Sequence, residues 1–306
     1  MKKIKIGIPR AFHYYRSGVL WKTYFEYLGL KVILSPETNQ EILSLGINNT
    51  IDECCLTYKI YIGHALYLSK TCNYLLIPRI CDYGKKEKVC TRFNGTYDNL
   101  KQLLPKSQIL NYNIEYTKYK YQFWELIKLG FKFTKNPFKI IYGYLHALKK
   151  QKKYDLINEN EQKNKLQKSN KKILIISHFY NIKDKYISKF INEYLEKNNI
   201  TLIYSNYLDK KTAKTFSEYF SNTLYWKYSK EMIGSLYYYK YQVDGIIFIS
   251  TYPCGIDSLV NNLAMYKNKD IPILNIIIDE NTNELSLETK LESFIDIVKG
   301  AKKWIK

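Results

Sequence analysis

Arginine is scarce in this strongly basic chain. Of the 48 lysines and arginines among 306 residues only four are arginine (Arg10, Arg16, Arg79 and Arg92), against 28 acidic residues and a formal net charge of +20. Proteins that read bases and phosphates lean on the planar fork of arginine. Lysine, asparagine, isoleucine and tyrosine are all abundant, and an A/T-rich genome alone gives that composition. The charge therefore reads as a solvated lysine surface, and no nucleic-acid partner is expected. Long apolar runs are missing too: none approaches the roughly 18 residues that cross a bilayer, so no membrane partner is expected either. The opening MKKIKIGIPR lacks the apolar core and small-residue cleavage site of a signal peptide, which predicts a cytoplasmic protein. Six cysteines are too few for a disulfide framework, and in that compartment they are packing thiols, metal ligands or reactive groups. Finally, CxxC, HExxH, GxxxxGK[ST] and GxGxxG are all absent. No local metal signature, P-loop or dinucleotide fingerprint is present.

What is there is alternation. KIKIGIPR (3–10), KVILSP (31–36) and YLLIPRI (74–80) read as strands, with an amphipathic helix over 18–30 and a further helix over about 55–70 between them. A second series begins with the strand KKILIISH (171–178) and continues through the helix 185–199 and the strand TLIYSN (201–206). A long helical region over 212–241 follows, then GIIFIS (245–250), a helix over 256–268, PILNIIID (272–279) and a closing helix. The stretch 111–170 differs, with 13 lysines against five acids and a polar run at its end. The expected class is α/β, with two Rossmann-like doubly wound parallel-sheet domains and a helical insertion between them. The expected boundaries are 1–110 for the N-terminal α/β domain, 111–170 for the basic helical insertion and linker, and 171–306 for the C-terminal α/β domain.

Three cysteines fall where strands end or helices begin. Cys254 follows GIIFIS, Cys55 opens the helix in DECCLTYKIYIGH (52–64), and Cys90 lies in the loop after YLLIPRI. Unpaired backbone N–H groups and the helix dipole stabilise a thiolate or an anionic cluster in such places. If the two sheets face each other, the three thiols can converge in the cleft between them. Spacing alone favours plain packing thiols. Cys72 and Cys81 read as core or surface thiols, and Cys54 points away from its neighbour.

DECCLTYKIYIGH resembles the DE-x-C-L-P-x-K-x-x-x-GH segment of the 2-hydroxyacyl-CoA dehydratase activase-related proteins, relatives of the iron–sulfur subunits of 2-hydroxyglutaryl-CoA dehydratases. The likeness extends through IGIPRAF, IPRI with Cys90, SHFYNIKDKYI, YWKYSKEMIGSLYYY, TYPCGIDSLV and DENTNELSLETKLESFID, leaving only 111–170 outside it. Thr57 and Thr91 stand where that family has proline, Asn281 where it has histidine and Lys290 where it has arginine. The resemblance implies a 4Fe-4S-type iron–sulfur cluster held by Cys55, Cys90 and Cys254 in an oxygen-sensitive, anaerobic protein. It also implies low-potential electron transfer or reductive activation with a separate ATPase activator protein, and it leaves open whether the chain itself acts on an acyl-CoA thioester. A dimer is left open. Two alternatives stand beside it: a catalytically silent docking or regulatory partner of such a dehydratase, and a metal-free α/β ligand-binding module.

Other residues could surround a cofactor. Lys59 and His64 follow Cys55 on its helix, and a histidine there can support a ligand through a hydrogen bond. Arg79 and Arg10 each end an IPR triplet, and arginine at two sheet ends suits a bound anion as well as an ion pair within the fold. His178 ends the strand KKILIISH, and Asp257 sits in the first turn after Cys254. Each also has a bland role, as a packed histidine or a first-turn acid meeting the helix dipole.

Overall fold

The computed structural model of the chain describes residues 3–104 and 109–300. They divide into two units, Met1–Asp155 with Tyr225–Lys227 and Leu156–Leu224 with Tyr228–Lys306. The first contains β1 (Lys5–Ile8), α1 (Tyr14–Tyr27), β2 (Lys31–Leu34), α2 (Gln40–Ile47), α3 (Leu56–Ser69), β3 (Tyr74–Asp82), α4 (Thr91–Leu103), β4 (Ile109–Glu115) and α5 (Gln122–Phe131). Helix α6 (Pro137–Leu166) carries the chain from one unit into the other. The second contains β5 (Lys172–Ile176), α7 (Phe179–Lys183), α8 (Lys185–Lys197), β6 (Thr201–Tyr204), α9 (Lys210–Ser217), α10 (Lys227–Tyr239), β7 (Gly245–Thr251), α11 (Gly255–Lys267), β8 (Ile273–Ile278) and α12 (Glu284–Gly300).

The sheets have one and the same plan. Their orders are β2-β1-β3-β4 and β6-β5-β7-β8, and every pairing is parallel. Parallel strands covered by helices on both faces read as continuous apolar runs. TLIY and GIIFIST accordingly bury every residue. The edge strand β8 leaves Ile277 in solvent. In each unit the crossover from the second to the third strand uses two helices, α2–α3 and α9–α10. Both pairs cross through glycine. A Cβ on Gly63 would overlap the carbonyl oxygen of Ile42, one on Gly46 that of Lys59, and one on Gly234 that of Ala213. The two domains are Rossmann-like, as the alternation predicts.

Local chemistry explains the ends of the elements. Asn39, Asp184 and Asp209 cap α2, α8 and α9, their side chains accepting from Ile42, Tyr186 and Thr212 N–H at 3.0, 3.0 and 2.9 Å. Gly29, at φ +92°, stops α1 where a side chain would be strained.

Three details differ from the sequence reading. The helical region over 212–241 breaks between α9 and α10, because Ser221 Oγ accepts the Thr223 N–H at 3.1 Å and holds a turn. The stretch 111–170 is mostly helix, but it opens on β4, whose alternating Asn111 and Asn113 suit a sheet edge. Cys90 ends the loop after β3, as expected, but it also caps α4, a polar helix that the sequence reading does not include. The last six residues of the expected closing helix, 301–306, lie outside the described residues.

Candidate functional site

Each of the three cysteines singled out in the sequence is the N-cap residue of a helix: Cys55 for α3, Cys90 for α4 and Cys254 for α11. All three are partly buried. Cys90 and Cys254 are topological equivalents, since each heads the helix that joins the third strand of its sheet to the fourth. In open parallel sheets the carboxyl edge beside the order switch is where ligands sit. In both units that switch lies between the first and third strands.

In the first unit the Cys55 Sγ lies 3.6 Å from Thr57 Oγ1. Burial pushes its thiol pKa up, while hydrogen bonds from Thr57 and the Tyr58 backbone and the charge of Arg92 act the other way. Arg92 rises from the first turn of α4, two residues past Cys90. Its Nη2 reaches the Glu53 carbonyl at 3.5 Å, and its guanidinium stands 5.3 Å above the Tyr58 ring. One arginine thus ties the head of α4 to the loop that carries Cys55. Asn99, further along α4, donates to the Tyr58 hydroxyl at 2.6 Å. The loop before Cys90 is pinned by the returning segment Tyr225–Lys227. Lys88 N–H donates to the Tyr225 carbonyl at 2.9 Å, Lys227 N–H donates to the Lys88 carbonyl at 2.8 Å, and Lys227 Nζ meets Glu87 at 2.7 Å.

In the second unit His178 follows β5 and heads α7, and its Nε2 lies 2.8 Å from Asp257 Oδ1 in the first turn of α11. Both side chains are buried, and the His178 Nδ1 has no protein partner. One turn beyond Asp257, Asn261 is buried with neither amide atom bonded. Beneath the histidine, Ser177 Oγ donates to the Ile249 carbonyl at 2.5 Å and accepts from Asn181 Nδ2 at 3.1 Å. The Tyr252–Pro253 peptide ahead of Cys254 is cis. His178, Asp257 and Cys254 therefore share the carboxyl edge around β5 and β7, and the direct histidine–aspartate bond is more than the sequence shows.

The remaining candidates take other places. Lys59 is buried on α3. His64, fully buried two and a half turns into α3, places Nε2 3.0 Å from Thr38 Oγ1 in the loop after β2. Arg79 is spent on α4: its Nε donates to Asn94 Oδ1 at 2.8 Å and its Nη2 pairs with Asp98 at 3.2 Å. Arg10 pairs with Glu37 at 3.7 Å. Cys81 donates to the same Asn94 oxygen at 3.1 Å, and Cys72 is buried against Gly7. Sequence reasoning missed Arg92 and Thr57 as neighbours of the thiols. The scarcity of arginine was the available signal for the first. A small, largely apolar pocket also lies at the ends of β1 and β3, between Phe12, His13, Tyr61, Pro78, Phe93 and Thr96.

Burial, reinforced by the Arg10 charge, holds the His64 pKa down to about 3 from an ordinary 6.5. The unfolded chain takes up this proton first, so the stability it contributes is complete above pH 6.5 and is lost as pH falls toward 3. The expected slope is about 1.4 kcal/mol per pH unit near pH 5. Urea midpoints of the wild type and His64→Gln between pH 7 and 4.5 check this, and parallel curves for the two proteins would refute it.

Within either unit, among the described residues, no three His, Cys, Asp or Glu side chains are grouped as metal ligands. Among the described residues no helix is long and apolar enough to cross a membrane. No curated protein sequence matches the chain. Among solved structures, ZnuA aligns over 97% of this chain and 99% of its own at 9% identity and a TM-score of 0.30. A carbohydrate transporter from Acidothermus cellulolyticus 11B, in complex with myo-inositol, aligns over 99% and 89% at 8% identity and a TM-score of 0.21. Likenesses this distant carry no inference. The family model described as CoA enzyme activase uncharacterised domain matches residues 5–208, from β1 through the second strand of the second sheet. With that match over well more than half its length, the chain belongs to the CoA enzyme activase uncharacterised domain family.

Proposed function

We propose that this chain carries a 4Fe-4S-type cluster on the thiolates of Cys55, Cys90 and Cys254. In this reading it works as a low-potential electron-transfer or reductive-activation component beside a separate ATP-hydrolysing activator. The observation that supports this reading best is positional: the three thiols that match the resemblance all occupy helix N-caps. There the first-turn amides and the helix dipole favour sulfur in its anionic form. The donor set suits iron, for which thiolate is the usual protein ligand. Membership of a family described by CoA enzyme activase adds the functional setting.

When bound, such a cluster supplies one-electron chemistry. The chain's own residues supply placement and charge. Arg92 sets a cation beside Cys55 and fixes the head of α4 against residue 53. Thr57 and the Tyr58 N–H direct hydrogen bonds toward the Cys55 sulfur and work against the burial that raises its thiol pKa. The His178–Asp257 bond clamps the first turn of α11 and so holds the backbone that carries Cys254.

Protein purified without oxygen is expected to contain about four iron and four acid-labile sulfide per chain, with a broad brown absorption band that dithionite bleaches. Colourless protein without iron, from cells supplied with iron and sulfide, would overturn the proposal. Arg92→Ala is expected to keep the fold and lower iron content several-fold, and unchanged loading would remove Arg92 from the account.

A further inference from the structure

We propose that the outward faces of α5 and of the first half of α6 form a docking surface for an anionic lipid bilayer. The two helices pack side by side in the first unit, with the Phe123 and Tyr144 rings 5.1 Å apart and Gly130 against Ile140. Ile140, Tyr144 and Ala147 bury the inner face of α6. The opposite face is apolar as well. Phe138, Ile141, Tyr142 and Leu145 recur at helical spacing and are 70%, 40%, 60% and 49% exposed. On α5, Trp124 and Phe131 stand seven residues apart and are 56% and 51% exposed. An ordinary surface helix has one apolar stripe facing its core, and contiguous exposed patches of this kind mark interaction sites.

Charge decides the occupant. Residues 120–155 hold nine lysines, no arginine and only two acids. One acid, Glu125, is buried with its carboxylate on Lys128 at 2.7 Å. Lys132, Lys135, Lys149 and Lys152 are exposed around the aromatic stripe. Lysine with tryptophan, tyrosine and phenylalanine suits helices lying in a headgroup layer, where diffuse positive charge meets anionic lipid. The expectation of no membrane partner rests on the lack of a spanning helix, which does not bear on a helix lying flat. Nothing in this inference depends on the cluster.

Sedimentation of the full-length chain with vesicles tests it. With phosphatidylglycerol–phosphatidylcholine vesicles in 0.1 M salt the chain is expected to pellet, and with pure phosphatidylcholine it is expected to stay in solution. Both Trp124→Ala/Phe138→Ala/Tyr142→Ala and Lys149→Glu/Lys152→Glu should weaken binding roughly tenfold or more. These residues are exposed, so their melting curves should match the wild type, and Phe138→Ala alone should show a smaller loss. The proposal fails if anionic vesicles do not retain the chain, or if the aromatic variants bind as well as the wild type. It also fails if ultracentrifugation shows a dimer that the aromatic variants dissociate, since a second copy would then cover the face.

Discussion

Gly63→Ala is expected to destabilise the protein by about 3 kcal/mol or more, at the upper end of overpacking costs. Its new methyl group would overlap the carbonyl oxygen of Ile42, which is backbone within α2 and has no rotamer through which to yield. The helices would have to separate, and that strips contacts from a seam where Ile42, Leu43, Ile60 and Ile62 are all fully or almost fully buried. Gly234→Ala should do the same at the equivalent α9–α10 crossing, against the Ala213 carbonyl. Gly95 is the control. It lies inside α4, where a Cβ would meet nothing beyond its own helix, so Gly95→Ala should stabilise by roughly 0.5–1 kcal/mol through helix propensity and unfolded-state entropy. Urea denaturation at pH 7.5 separates the cases. A Gly63→Ala midpoint equal to that of the wild type would show that the helices are not held at this spacing.

Removing Asp257 is expected to have the second-largest effect. Asp257→Ala leaves the buried His178 Nε2 unbonded next to an Nδ1 that already has no protein partner. A buried group stripped of a charge-assisted bond costs about 2–3 kcal/mol. Asp257→Asn keeps a carbonyl oxygen as acceptor and should lose about 1 kcal/mol. The ring also reports directly: nitrogen shifts of His178 should show an Nε2–H tautomer in the wild type and in Asp257→Asn, and an averaged ring in Asp257→Ala. If the Ala variant kept both stability and tautomer, the 2.8 Å contact would not exist in solution.

The fold was largely legible because parallel strands covered on both faces announce themselves as runs such as GIIFIS and TLIY. The elements missed were short or polar. Helix α2 is only eight residues long, α4 is polar, and β4 hides among asparagine and tyrosine. The helix heads at Cys55 and Cys254 could be read from sequence, because a strand signal followed by helical spacing locates the junction. Cys90 was placed in its loop, but α4 behind it went unread because its sequence is polar. The His178–Asp257 bond joins residues 79 apart in sequence, so no local pattern could disclose it. Arg92 stayed hidden for the same reason, since its relation to Cys55 exists only once α4 packs beside α3.

The account turns on which sulfurs bind iron. Chains carrying Cys55→Ser, Cys90→Ser, Cys254→Ser, Cys72→Ser or Cys81→Ser, purified without oxygen and assayed for iron and sulfide, ask this directly. The first three should fall from about four iron atoms per chain to below about one, while the last two stay at the wild-type value. Equal iron in all five, whether retained or lost, would contradict the assignment of the helix-heading thiols as ligands.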